Sequence, residues 1–171
     1  YWNATSLFLE CTSDQLTDES SYKQKLNWVG SPSFTTTNAK FGTSVDLNST
    51  DGTPRYCRIS HDSTLIFGTN DFTIDGWIYI RSNDTGITPN YRLWQKGANQ
   101  TNGYALIYNT SSVYFGRTDE TIVGDPRSNW NDGWHHFAIV RWNDTFTLYR
   151  DGVSVDTSTS NGGYNCGNDD D

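Results

Sequence analysis

The sequence predicts an all-β fold, a two-sheet antiparallel jelly-roll sandwich, on three observations. Ten short runs of β-branched and aromatic residues recur along the chain, separated by clusters of Gly, Asn, Asp and Pro. Aromatic residues make up 15% of the chain, with 15 glycines and no methionine, a composition that favours strands and turns over helices. At 171 residues the chain is long enough to bury roughly 70% of its unfolded surface in one core without a metal or disulfide staple.

The elements follow in chain order. "SLFLECT" (6–12), "TSVDLN" (43–48) and "RYCRIS" (55–60) are short strand signals between turn-rich segments. "DFTIDGWIYIR" (71–81) alternates most clearly: Phe72, Ile74, Gly76, Ile78 and Ile80 face a core, and Thr73, Asp75, Trp77 and Tyr79 face the other way. Its length places it at the centre of a sheet. "YRLWQKG" (91–97), "YALIYNT" (104–110) and "SVYFGRT" (112–118) come next, then "WHHFAIVRW" (134–142), "TFTLYRDG" (145–152) and "VSVDTS" (153–158). Asp151-Gly152 joins the last two as a tight hairpin, because both residues tolerate positive φ. No linker or repeat divides the chain, so residues 1–160 read as one domain and 161–171 as an acidic, flexible C-terminal tail.

The net charge is −8 and no basic cluster is present, which excludes a phosphate backbone as partner. Acidity rests on 17 Asp against 3 Glu, short carboxylates suited to turns or to calcium. No apolar run approaches the roughly 18 to 20 residues that cross a bilayer, so membrane insertion is not expected. The opening "YWNATSLFLE" has neither an initiator Met nor a charged, then apolar leader, and reads as the start of a processed chain. Three cysteines, Cys11, Cys57 and Cys166, imply one disulfide and one leftover thiol in an oxidising compartment, with the pairing left open. Six Asn-x-Ser/Thr sequons, at Asn3, Asn48, Asn83, Asn99, Asn109 and Asn143, fall mostly in turn-like segments. Together these place the chain outside the cell or on its surface.

His135-His136 is the only concentrated imidazole, yet neighbours on a strand point to opposite faces and cannot share a metal or a substrate. Asp71 and Asp75 share a face about 13 Å apart, wider than the roughly 5 to 9.5 Å that glycoside hydrolysis uses. Asp46, Asp51, Asp71 and Asp119 stand in loop clusters whose short oxygens suit a calcium ion, the one cofactor expected. Aromatic rings rimmed by Asn and Asp also suit sugars, and Tyr91, Trp94 and Trp130, among turn residues, are the expected exposed contacts.

"KFGTSVDLNSTDGTPRYCRIS", "FGTNDFTIDGWIYI" and "GWHHFAIVRWNDTFTLYRDGVSV", in that order, resemble the laminin-G-like branch of the concanavalin A-like lectin/glucanase superfamily. The resemblance implies a two-sheet jelly roll hosting lectins, adhesion modules and some glucanases. The glucanase branch carries a Glu-x-Asp-x-x-Glu strand, and Glu10, Glu19 and Glu120 are not so spaced, so no enzyme is expected. Family domains also continue past the Asp-Gly hairpin with a closing strand, for which "TSTSNGGYNCGNDDD" offers no counterpart. The N-terminal strand, with Leu7, Phe8, Leu9 and Cys11, would then have an open edge and could enter a second copy head to tail. The expected function is a secreted or surface-displayed structural or adhesive module, a glycosylated filament subunit; the alternative is a calcium-assisted lectin binding glycans.

Overall fold

The computed structural model describes residues 5–47, 53–60, 62–81, 91–97, 103–117, 120–159 and 163–166. It is all-β, and the chain divides into two compact units, Tyr1–Leu65 and Ile66–Asp171. Among the described residues no helix is long and apolar enough to cross a membrane.

The first unit holds β1 (Leu9–Cys11), β2 (Leu16–Asp18), β3 (Leu26–Val29), β4 (Ser33–Thr35), β5 (Ser44–Asp46) and β6 (Tyr56–Ile59). They pair as three antiparallel two-stranded ladders, β1 with β2, β3 with β6 and β4 with β5. Buried Asp18 organises its start. Its carboxylate accepts the backbone N–H of Phe8, Ser20 and Gln24 and the Ser20 hydroxyl at 2.7 to 2.9 Å. Burial alone would raise the Asp18 pKa; the Phe8, Gln24 and Ser20 donors outweigh it and hold the group below its ordinary value.

The second unit is the sandwich. β7 (Phe72–Ile80), β12 (Gly133–Trp142), β13 (Thr145–Arg150) and β14 (Val153–Ser158) form one antiparallel sheet in the order β14-β13-β12-β7. β8 (Tyr91–Lys96), β9 (Tyr104–Tyr108), β10 (Ser112–Gly116) and β11 (Thr121–Pro126) form the other, in the order β11-β10-β9-β8. Their inner faces share a core that includes Ile80, Leu106, Phe115, Val123, Phe137, Ile139, Phe146 and Leu148. Phe72, Phe115 and Phe146 meet there at centroid distances of 5.9 to 6.2 Å.

The expected alternation of β7 holds: its inward set lines the core, and Thr73, Asp75 and Trp77 are exposed. Its place does not. β7 ends its sheet and β12 takes the interior, because the length of β7 comes from nine rungs with the longer β12. All ten expected strands form, nine within the expected segments and β12 starting one residue earlier at Gly133, and β2, β3, β4 and β11 are additional. The Asp-Gly hairpin forms with Asp151 at φ 49° and Gly152 at φ 80°, joining β13 to β14.

Two expectations are corrected here. No disulfide forms among Cys11, Cys57 and Cys166; each is a free thiol, and Cys166 is enclosed in the core of the second unit. Within the segment read as a tail, Tyr164 and Cys166 are packed rather than loose. Cys166 bridges Gly68 through backbone bonds, and buried Arg141 donates to the Tyr164 carbonyl at 2.8 Å.

Candidate functional site

The two faces of the sandwich sheets differ. Every residue of β9, "YALIY", is buried, with Leu106 in the main core and Ala105 and Ile107 in a smaller cluster with Tyr114. Both faces of that sheet's centre are therefore covered. The sheet of β7, β12 and β13 keeps an alternating pattern, buried on the inside and half open on the outside.

Trp77 and Tyr79 on β7 and Trp134, His136 and Trp142 on β12 put aromatic rings at outward positions, where an exposed sheet face is ordinarily polar. Trp77 is 40% exposed and lies across the ladder from His136, with ring centroids 5.1 Å apart at 60°. Two residues on along the same face, Tyr79 meets Trp134 at 5.6 Å and 72°. Such cross-strand edge contacts hold both pairs in fixed orientations. In the other direction Ala138 stands between Asp75 on β7 and Tyr149 on β13. Along β12 it stands between His136 and Val140 on the same face. The His136 ring Nε2 lies 3.4 Å from Asp75 Oδ1, and the Asp75 side chain is 58% exposed.

The adjacent histidines do point to opposite faces. His135 is buried beside Trp130, its ring bonded to Asp151 Oδ2 at 2.9 Å and to the Asn131 carbonyl at 2.8 Å. The same carboxylate accepts the His136 backbone N–H. Burial pushes the Asp151 pKa up; the His135 and His136 bonds outweigh this and leave it lowered. His135 is scaffolding, and only His136 reaches the open face.

Of the expected sugar contacts, Tyr91 on β8 is 53% exposed. Trp130 is corrected. It is 2% exposed, its ring held under the Arg150 guanidinium, which pairs with Asp125. Trp94 is also turned inward, half-buried against the main core from an edge strand with a register shift beside it. Turn residues in the flanking sequence gave both an exposed look; the facing direction of β8 turns Trp94 inward, and Arg150 packed over the Trp130 ring covers it. The residues missed were Trp77, His136 and Tyr149, and the available signal was their place on the outward half of an alternating strand.

Among the expected calcium ligands, Asp46 lies on β5 of the first unit, and Asp71 of the second accepts the Asn143 backbone N–H at 3.0 Å. Asp51 and Asp119 lie outside the described residues. Among the described residues no three His, Cys, Asp or Glu side chains gather as a metal site. Of the sequons, Asn143 is exposed at the tip of the β12–β13 hairpin, while Asn109 accepts the Ser111 and Ser112 backbone N–H groups in its turn. Asn3, Asn48, Asn83 and Asn99 lie outside the described residues. Leu9 and Cys11 of the expected assembly strand are paired with β2, and Phe8 is tied to Asp18 and Glu19; Leu7 precedes them, half-buried.

Fold and site together define an antiparallel jelly-roll domain with one open aromatic sheet face. The chain belongs to the concanavalin A-like lectin/glucanases superfamily, whose laminin-G-type family model matches residues 51–171. No curated protein matches it. Among solved structures it is similar to the binding domain of Paraclostridial Mosquitocidal Protein 1, at 19% identity and TM-score 0.73, over 95% of this chain and 42% of that one. It is similar to the binding domain of Botulinum Neurotoxin DC in complex with SialylT, at 15% identity and TM-score 0.70, over 92% of this chain and 40% of that one. A mutant of HCR D/C VPI 5995 aligns at 17% identity and TM-score 0.75, over 96% of this chain and 41% of that one. The chain thus spans about two fifths of each of these structures, and the likeness is one of fold.

Proposed function

We propose that the chain is a non-catalytic carbohydrate-binding module, displayed outside the cell, that takes glycans on the outer face of the β7–β12–β13 sheet. The observation that carries this is the exposed Trp77 ring, held edge-on by His136, with the exposed Asp75 carboxylate two residues away on the same face of β7. A flat apolar ring next to hydrogen-bonding groups serves a pyranose, which has a C–H face and a hydroxyl rim. The neurotoxin domain solved with SialylT supports the reading as an instance of the same fold in a protein that binds.

The non-catalytic part is supported by the occupation of the acids. Glu19 pairs with Lys23, Glu120 with Arg117 and Asp125 with Arg150, each in a structural contact. The contacts on the open face are rings, a hydroxyl and a carboxylate, so binding there needs no calcium. The assembly reading is weakened by the home partner of β1, whereas an adhesive role is compatible with glycan capture.

A glycan array probed with the wild-type chain and with Trp77→Ala, with and without chelator, tests the reading. The expected result is binding by the wild type that survives chelation and falls at least ~10-fold in the variant, a loss of about 1.4 kcal/mol. An array on which the wild type binds nothing would overturn it, and release of free sugar would overturn its non-catalytic part.

A further inference from the structure

Resting on that reading, we infer that the open face selects neutral pyranose glycans and discriminates against sialylated ones. The outward positions of β7, β12 and β13 hold no lysine or arginine, and Asp75 is their only carboxylate. The two arginines of these strands are used inside. Arg141 is 1% exposed and donates to the Gly68 and Tyr164 carbonyls, and Arg150 pairs with Asp125. These strand positions therefore present no fixed cation to a sugar carboxylate, and the chain as a whole carries −8.

The side chains around Ala138 set what a ligand meets. Asp75 and Tyr149 flank Ala138 on the neighbouring strands, Trp77 and His136 stand two residues along, and Val140 lies at the opposite end. A neutral hexose laid with its C–H face against Trp77 directs hydroxyls toward the Asp75 carboxylate, which accepts, and the Tyr149 hydroxyl, which donates or accepts. An acetamido group is accommodated too, since it is uncharged, has an N–H to give and presents a methyl to the ring. A sialic acid carboxylate in the same place would sit by Asp75, with like charges opposed and no lysine or arginine at these strand positions to compensate.

The test is titration calorimetry with lactose, chitotriose and sialyllactose at low and at physiological ionic strength, on the wild type, Trp77→Ala and the near-isosteric Asp75→Asn. Each variant's fold is checked by its melting transition. Lactose or chitotriose should bind and sialyllactose should bind at least ~3-fold more weakly at low salt, the gap narrowing as salt rises. Trp77→Ala should lose the neutral ligand, and Asp75→Asn should shrink the gap between lactose and sialyllactose. Sialyllactose binding as tightly as lactose would overturn the inference and leave the carbohydrate reading standing. Neutral binding unchanged in both variants would overturn the site. If none of the three sugars binds while other glycans on the array do, the selectivity is overturned; if nothing binds at all, the carbohydrate reading itself fails.

Discussion

Gly76 and Phe137 face each other across β7 and β12, and a Cβ added at Gly76 would lie 3.1 Å from the Phe137 ring. The glycine is there because the ring lies over the backbone. Gly76→Val should destabilise the second unit by roughly 1 to 3 kcal/mol through overpacking, read as a lower denaturant midpoint with unchanged slope. Asp151 makes a different residue-level prediction. Its folded pKa is lowered, so its contribution to stability is complete above the ordinary carboxylate value near 3.8 and is lost as pH falls through the lower folded value. Stability measured between pH 5 and pH 2 should fall with acid, and Asp151→Asn should flatten part of that slope. If the slope is the same in the variant, the His135–Asp151 bond contributes nothing in solution.

The β1–β2 hairpin shows what a short element needs. Three residues in each strand cannot hold a ladder alone, and Asp18 supplies the closure by gathering three backbone N–H groups and a hydroxyl. Asp18→Ala leaves those donors without their carboxylate and should cost the first unit roughly 2 to 4 kcal/mol, with faster proteolysis near Phe8. Unchanged protease resistance would show that the ladder suffices. The elements most legible in the sequence were β7, β12, β13 and β14, whose period-2 patterns and Asp-Gly turn are local. β2, β3 and β4 were not legible; each is only three or four residues long, too short to show a period, and β3 is fixed by β6, distant along the chain. β11, "TIVGDP", was hidden by its Gly and Pro, which a sheet tolerates at a terminal strand. The site divided the same way. The opposed histidines followed from strand geometry, whereas the inward turn of Trp130 depended on Arg150 and Asp125 and so on tertiary packing.

The second unit's two sheets are closed at one end by the chain's last described residues. The fully buried Arg141 side chain holds the Gly68 and Tyr164 carbonyls and Asp144 Oδ1 at 2.8 to 3.2 Å, with its guanidinium 5.1 Å from the Phe146 ring centroid. Cys166 lies under this clasp, and burial raises its thiol pKa to about 12 although Arg141 beside it acts the other way. A thiol that is both enclosed and protonated does not react. Native protein should therefore label rapidly with a thiol reagent at Cys11 and Cys57, both partly exposed, and at Cys166 only on unfolding. Arg141→Met removes the clasp's donors to the Gly68 and Tyr164 carbonyls and to Asp144, at a cost of roughly 2 to 4 kcal/mol. In that variant, and in a chain ended after Ser158, the segment around Cys166 loses its anchor or is absent. Arg141→Met should label at Cys166 under native conditions while β12–β13 amides keep their hydrogen-exchange protection. The shortened chain should melt at a lower temperature than the full chain. Cys166 labelling in the intact wild type at the rate of Cys11 would show that the segment does not close the sandwich in solution.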